Sequence, residues 1–402
     1  MKAHILFVTD GRSPTARSWI SHIQSLNYAT SLISTYPCQP VENLENFEVL
    51  PIAFSRFSQG TVQGQTFRQK STLKNLQDRL TPLLQFFRYR LGPLTIFLQA
   101  NKFQDLVESI QPDLVHALRI PYEGMLASFT PETLPLLVST WGNDLTLHAN
   151  KGWLMAQLTR RCLKRANGLI SDTQRDAGLA MDWGLRPNQP KLVTVGSGGL
   201  DLEVIQSAQG FSPPEYGIPE NAAWVVNPRG LRPGSVHQDV FFEAIPHVHQ
   251  KYPNTCFLCP NLQGVKQAQD WLQKFSLDQR TFLLPKLPQE QLWSLFKQSK
   301  VFVSPSSHDG TPNTLLEAMA CGCFPIVGDI ESMREWIEDG ENGFLVDPRN
   351  PRALADEICK TLDQPQIVAE VAKKNLVIIE ERAILRKTLP RIDQFYTHFT
   401  YP

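Results

Sequence analysis

A short apolar run, His4-Ile5-Leu6-Phe7-Val8-Thr9, breaks at Asp10-Gly11 and gives way to a helical pattern from about Arg17 to Leu26. Ala29 to Ser34 is then apolar again. Strand, turn, helix and strand at this spacing make a βαβ unit, which dictates parallel strands and a right-handed crossover. The alternation continues. A helix over Leu94 to Ile110 precedes the strand Asp113-Leu114-Val115-His116, and Leu136 to Thr140 is a strand ending at a turn through Gly142. Gly152 to Arg165 reads as a helix, Gly168 to Ser171 as a strand, and Lys191 to Val195 as a strand stopping at Gly196-Ser197-Gly198-Gly199.

A Pro-rich polar stretch, Phe211 to Pro219, interrupts the pattern and reads as a boundary. Beyond it the alternation restarts with a strand at Ala223 to Asn227, a helix over 238–251, and strands at 254–259, 281–284, 300–304 and Phe324 to Val327. The chain is therefore α/β with two parallel sheets. Its 402 residues suit two or three domains of ordinary size. The expected division is an N-terminal domain over 1–205, a C-terminal domain over 206–385, and a final helix over 386–402 that returns to the first domain. Ligands of such sheets bind beyond the carboxyl ends of the strands, so a cleft between two facing sheets is where chemistry is expected.

Charge narrows the partners. Lys and Arg total 39 against 39 Asp and Glu, which gives no basic surplus for phosphate neutralisation and argues against nucleic acid. The N-terminal apolar run is too short for a secretory signal, and no stretch reaches the ~20 apolar residues of a membrane span. Seven scattered Cys do not form a secreted disulfide framework. Cys256 and Cys259 fall in a strand and point to opposite faces, which suits buried thiols rather than zinc. A cytoplasmic location is expected. Arg68 to Phe103 mixes Arg and Lys with Leu and Phe. That pattern fits an amphipathic helix packed on the sheet, and peripheral membrane contact is its other reading.

Ser304 to Gly322 is the most informative segment. A strand ends in a polar loop, and a helix begins near Thr311-Pro312-Asn313 with Pro in the first turn, where its missing amide is tolerated. Amides around Gly310, Thr311, Asn313, Thr314 and Leu315, backed by the helix dipole, make an anion site suited to a diphosphate. Asp309 precedes the helix and Glu317 sits on its second turn, so an acid on each side can accept from sugar or ribose hydroxyls.

The run Asp309-x7-Glu317, Ala318-Met319-Ala320-x-Gly322-x-x-Pro325-Ile326, then Asn342-Gly343-Phe344-Leu345-Val346 resembles family 4 glycosyltransferases of the GT-B fold. Their signature is an acid-x7-Glu followed by Ala-Met-Ala-x-Gly-x-Pro-Val and Gly-x-x-Gly-x-Leu. The similarity extends to Val225-Val226-Asn227-Pro228-Arg229-Gly230-Leu231-Arg232, where the family places a basic pair on the donor diphosphate. No Lys follows five residues after Arg229, and Arg232 stands in its place. In the N-terminal half Gly11 occupies the family's Gly-rich first turn. His116 matches the first His of an Asp-x-x-His-x-His pattern, whose second His is Leu118 here. Asn143 and Asp144 close a Thr-x-His-Gly-Ser-Asp-like stretch in which Trp141 replaces His.

The resemblance implies two Rossmann-like domains facing each other across a cleft. It also implies metal-independent, retaining transfer of a sugar from a nucleotide-diphosphate sugar to an acceptor hydroxyl, without a cofactor. Arg229, Asp309 and Glu317 would carry the chemistry. Arg232, the 310–315 amides and Gly11 would hold the donor, and His116, Asn143 and Asp144 would lie on the acceptor side. The donor pattern is retained while the acceptor half lacks two customary His residues. A nucleotide-sugar-binding protein without turnover is the alternative.

Overall fold

The computed structural model describes residues 2–55, 88–277 and 279–400. It divides into two units, Met1–Gly198 with the chain from Leu389 onward, and Gly199–Thr388.

The first unit is a seven-stranded sheet in the order β3-β2-β1-β4-β5-β6-β7. Its strands are β1 (Lys2–Thr9), β2 (Tyr28–Ser34), β3 (Asn46–Val49), β4 (Leu114–Ala117), β5 (Leu136–Thr140), β6 (Gly168–Ser171) and β7 (Lys191–Val193), and every pairing is parallel. Helix α1 (Pro14–Ser25) starts where the sequence signals it. The Ser13 hydroxyl accepts from the Ala16 amide and Pro14 opens the first turn. Ala16, Trp19, Ile20 and Ile23 recur at helical spacing and are its buried residues. Helix α2 (Leu94–Ile110) likewise buries Ile96, Ala100, Phe103 and Val107. Helix α3 (Trp153–Arg165) covers the same face, burying Met155, Leu158 and Cys162. The part of the amphipathic stretch from Arg68 to Phe87 lies outside the described residues. Leu91, Leu94, Phe97 and Leu98, within the part of the stretch that is described, are exposed.

The second unit repeats the plan with six strands in the order β10-β9-β8-β11-β12-β13. They are β8 (Trp224–Val226), β9 (Cys256–Cys259), β10 (Thr281–Leu283), β11 (Val301–Ser304), β12 (Phe324–Gly328) and β13 (Phe344–Val346), again all parallel. Helices α4 (Gln238–Lys251), α5 (Gln289–Gln298), α6 (Asn313–Ala320), α7 (Pro351–Asp363) and α8 (Pro365–Arg382) flank it. Cys256 and Cys259 are both buried in β9. No helix among the described residues is long and apolar enough to cross a membrane.

Both sheets are doubly wound, and each reverses strand order once, between β1 and β4 and between β8 and β11. That reversal opens the crevice where such sheets bind ligands.

The chain leaves the first unit through Gly198 and Gly199, whose φ values of 92° and 142° favour glycine. A Cβ on Gly199 would also lie 2.5 Å from Thr388 Oγ1. The Pro-rich stretch is therefore not the connection. Phe211 and Pro213 are buried, and Phe211 stacks on Tyr216 within the second unit. Helix α9 (Leu385–Thr400) carries the chain back. Trp19 Nε1 donates to Tyr396 Oη at 2.9 Å, and Lys2 pairs with Asp393 at 2.7 Å.

Candidate active site

In the second unit the loops after β8 and β11 meet at the reversal point. Arg229 and Asp309 form a buried ion pair there, with side chains 4% and 11% exposed. Arg229 Nη1 donates to Thr314 Oγ1 at 3.1 Å, which ties the guanidinium to the first turn of α6. Asp309 Oδ2 also accepts from Ser306 Oγ at 3.3 Å, and Ser332 Oγ donates to the Asp309 carbonyl at 2.8 Å. Behind them Asn227 Oδ1 takes the Arg229 amide, and Gln238 in turn holds Asn227. The result is a fixed arginine whose two terminal nitrogens are both engaged. Its Nε is buried without a hydrogen-bond partner among the described residues. Buried orphan donors are rare in native proteins, and an anion is the natural acceptor for a guanidinium.

Helix α6 supplies the complementary group. Thr314 and Glu317 are three residues apart and share a face of the helix. Glu317 is buried beside Gln289 and Trp293 of α5, and burial pushes its pKa up to about 7, with those two side chains pulling it back. Even so, Glu317 Oε2 and Trp293 Nε1 have no partner in hydrogen-bond geometry among the described residues. A carboxylate oxygen without a donor suits the hydroxyls of a ribose.

The amide cradle expected at the helix start is smaller than its sequence suggests. The Gly310 amide turns back to Asp309 Oδ1 at 3.2 Å, and the Leu315 amide donates to the Pro312 carbonyl. Thr311 is buried and takes the Trp336 indole N–H at 2.9 Å. Asn313 opens α6 and Leu315 is packed in the core. Arg232 lies on an exposed turn. The structure thus brings together Arg229, Asp309 and Thr314, places Glu317 one turn further along α6, and leaves Arg232 at the surface.

In the first unit the acceptor-side residues divide. His116 sits on β4, wholly buried, with Nδ1 2.6 Å from Tyr396 Oη and Nε2 2.9 Å from Ser139 Oγ. Burial lowers its pKa to about 3. It is a neutral core residue joining β4, β5 and α9, and it is not presented to a substrate. Gly11 is likewise spent inside the fold. Its amide donates to Ser34 Oγ, and a Cβ there would lie 2.5 Å from Cys38 Sγ. Asp144 is buried under Arg119, whose Nε donates at 2.8 Å. Burial raises its pKa while Arg119 lowers it. Asn143 stands at 3.5 Å from Arg119 Nη2.

A cavity of about 190 Å³ opens at this unit's reversal point, with Leu118, Arg119, Glu123 and Trp141 in its wall. Arg119, Tyr122 and Glu123 carry no motif, so the sequence singles none of them out. Their signal is only that they follow β4 directly.

Two doubly wound parallel sheets, each with its polar groups gathered at the reversal of strand order, define the class of two-domain Rossmann-like proteins. Residues 4–173 match the family described as glycosyl transferase 4-like, and residues 211–376 match glycosyl transferases group 1. The chain belongs to this glycosyltransferase family, which has the GT-B fold. Among solved structures it resembles the Anabaena protein HepE in complex with UDP (TM-score 0.71, 16% identity, 99% of this chain and 100% of that one). It is also similar to sucrose-phosphate synthase of Thermosynechococcus elongatus (TM-score 0.73, 14% identity, 99% of each chain). At these identities the likeness concerns the fold. A curated relative is the D-inositol 3-phosphate glycosyltransferase of Thermobispora bispora. It is 23% identical over 218 residues, 52% of this chain and 50% of that enzyme, so the match spans half the relative's length.

Proposed function

We propose that the chain is a hexosyltransferase-type enzyme that moves a sugar from a nucleotide-diphosphate donor to an acceptor hydroxyl, with retention and without a metal. The observation that carries this reading is the pair of buried orphans at the second sheet's reversal point. Among the described residues Arg229 Nε is a donor without an acceptor, and Glu317 Oε2 is an acceptor without a donor. A nucleoside diphosphate satisfies both, its phosphate taking the arginine N–H and its ribose hydroxyls donating to the carboxylate.

Departure of a diphosphate requires positive charge fixed opposite the leaving oxygens, and such preorganisation is usually the largest catalytic contribution. Arg229 supplies it without reorganising, because Asp309 and Thr314 already hold its two terminal nitrogens. Asp309 is the carboxylate nearest that cation, but it is engaged in the ion pair and so is not a free nucleophile. Front-side attack, with the leaving phosphate accepting the acceptor's proton, fits this arrangement better than a double displacement.

Relatives support the donor class. HepE is seen with UDP and with UDP-glucose. A panel of nucleotide sugars, read by nucleoside diphosphate release and by mass spectrometry of products, tests the proposal. Absence of release from every donor would favour the non-transferring alternative, which Leu118 and Trp141 in the places of family His residues keep open. The exposed Leu91, Leu94, Phe97 and Leu98 support peripheral membrane contact as a further part of this reading, checked by co-sedimentation with anionic liposomes.

A further inference from the structure

We propose that Trp293 is a positioning residue of the donor site, its indole N–H serving the Glu317 carboxylate so that this acid meets a ribose in its charged form. The inference rests on the transferase reading, in which Glu317 holds the donor ribose, and names a residue through which that contact is set.

Helix geometry brings the two side chains together. Gln289 and Trp293 are four residues apart on α5 and share a face. Glu317 and Cys321, which closes α6, are likewise four apart. Cys321 Sγ lies 3.6 Å from the Trp293 carbonyl, which seats the Glu317 side of α6 beside Trp293. Trp293 is half-buried as a residue, but its Nε1 is enclosed and has no acceptor among the described residues. The neighbouring Glu317 Oε2 has no donor among them. An indole N–H donates and never accepts. An unmet donor beside an unmet acceptor closes best when the acceptor is ionised, because hydrogen bonds to charged groups are shorter and stronger. A carboxylate oxygen has two lone pairs, so the indole and a ribose hydroxyl are served together. The enclosed Nε1 does not face a ligand, and Trp293 therefore acts through Glu317.

The other groups around Glu317 leave this role to Trp293. Cys321 is neutral, since burial and then Glu317 push its thiol up to about 12. Lys297 of α5 is spent on the carbonyls of Gln206 and Ala208. Strand β12, helix α8 and the helix Leu202–Ser207 also pack on α6, and no charged side chain on them moves the carboxyl. Burial pushes Glu317 up to about 7, and the two groups that draw it back are Gln289 and Trp293. Gln289 is exposed, so water competes for its amide. The enclosed indole N–H is the more durable donor.

Two measurements on the full chain test this. With tryptophan labelled for NMR, the indole N–H resonance that disappears in Trp293→Phe should move as pH rises through about 7 and should stay still in Glu317→Gln. A Trp293 resonance that ignores pH, or that moves equally in Glu317→Gln, overturns the proposal. The second measurement is calorimetric titration of UDP, GDP and ADP at several pH values. Trp293→Phe keeps the ring and loses the donor. Its nucleotide affinity should fall about threefold or more at about pH 6 and return to within about twofold of the wild type at about pH 8.5. Trp271→Phe, packed on Phe242, should match the wild type throughout. A loss equal at every pH is what a merely structural tryptophan gives, and it overturns the proposal, as does unchanged affinity. If none of the three nucleotides binds the wild type, the donor reading falls, and the NMR titration still decides whether Trp293 serves Glu317.

Discussion

Arg229 and Asp309, 80 residues apart in sequence, close a buried ion pair that joins the loop after β8 to the loop after β11. The sequence assigns the arginine to the donor and the acid to the sugar. The fold gives each a second task, holding the other in place.

That relationship predicts the cost of breaking it. Arg229→Ala leaves Asp309 buried without its cation, a loss of about 3–5 kcal/mol for pairs of this kind. Arg229→Ala is therefore not a purely catalytic lesion. The double variant Arg229→Ala/Asp309→Ala should recover part of that loss in urea unfolding. Strictly additive single losses would show that the pair is not coupled.

Arg229→Lys separates charge from geometry. Lysine keeps the cation but not the fork that meets Asp309, Thr314 and a phosphate together. Nucleoside diphosphate affinity should fall by roughly tenfold, the loss of about one charged hydrogen bond, with stability reduced less than in Arg229→Ala. Unchanged affinity would remove Nε from the donor site.

Glu317 predicts a pH dependence of definite sign. Its folded pKa of about 7 stands above the ordinary value of 4.5 because of burial. Hydroxyls donating to the carboxylate favour the charged form, so donor binding releases a proton and tightens as pH rises from about 6 to about 8. Glu317→Gln should flatten that rise. In the free protein the sign is reversed. Stability present below the unfolded pKa is lost as pH rises from about 4.5 to about 7, so Glu317→Gln should gain on the wild type between those two values. Matched urea titrations at several pH values read the second effect.

His116 predicts the opposite linkage. Its folded pKa of about 3 lies below the ordinary 6.5, so its contribution is full above about pH 6.5 and drains away as pH falls. His116→Gln lacks that titration. Its stability deficit against the wild type should narrow by roughly 2–3 kcal/mol on going from neutral pH to about pH 4.5. Transfer activity at neutral pH should be unaffected, and its loss in a variant that remains folded would return His116 to the acceptor side.

The alternation of strands and helices was legible because each element carries its own period and caps. Ser13-Pro14 opens α1, and Ala16, Trp19, Ile20 and Ile23 mark its buried stripe. The Asp309 to Glu317 spacing was legible for the same reason, since strand, loop and helix follow one another locally. What could not be read depends on distant partners. His116 is a core residue because Tyr396, 280 residues away, takes its Nδ1. Gly11 is needed for room beside Cys38 and Ser34, which only the packed loops reveal. Arg88 belongs to an amphipathic stretch in sequence and to a cavity wall in the fold. The unit division also falls at Gly198 and Gly199 rather than in the Pro-rich stretch, whose Phe211 and Pro213 find a core to enter.

Titration of UDP, GDP and ADP into the wild type and Glu317→Ala tests the central claim most directly. At least one nucleoside diphosphate should bind the wild type, and its affinity should fall about tenfold or more in the variant while the unfolding midpoint stays within a few degrees. Equal affinity in both proteins, or no binding to the wild type, would contradict the account.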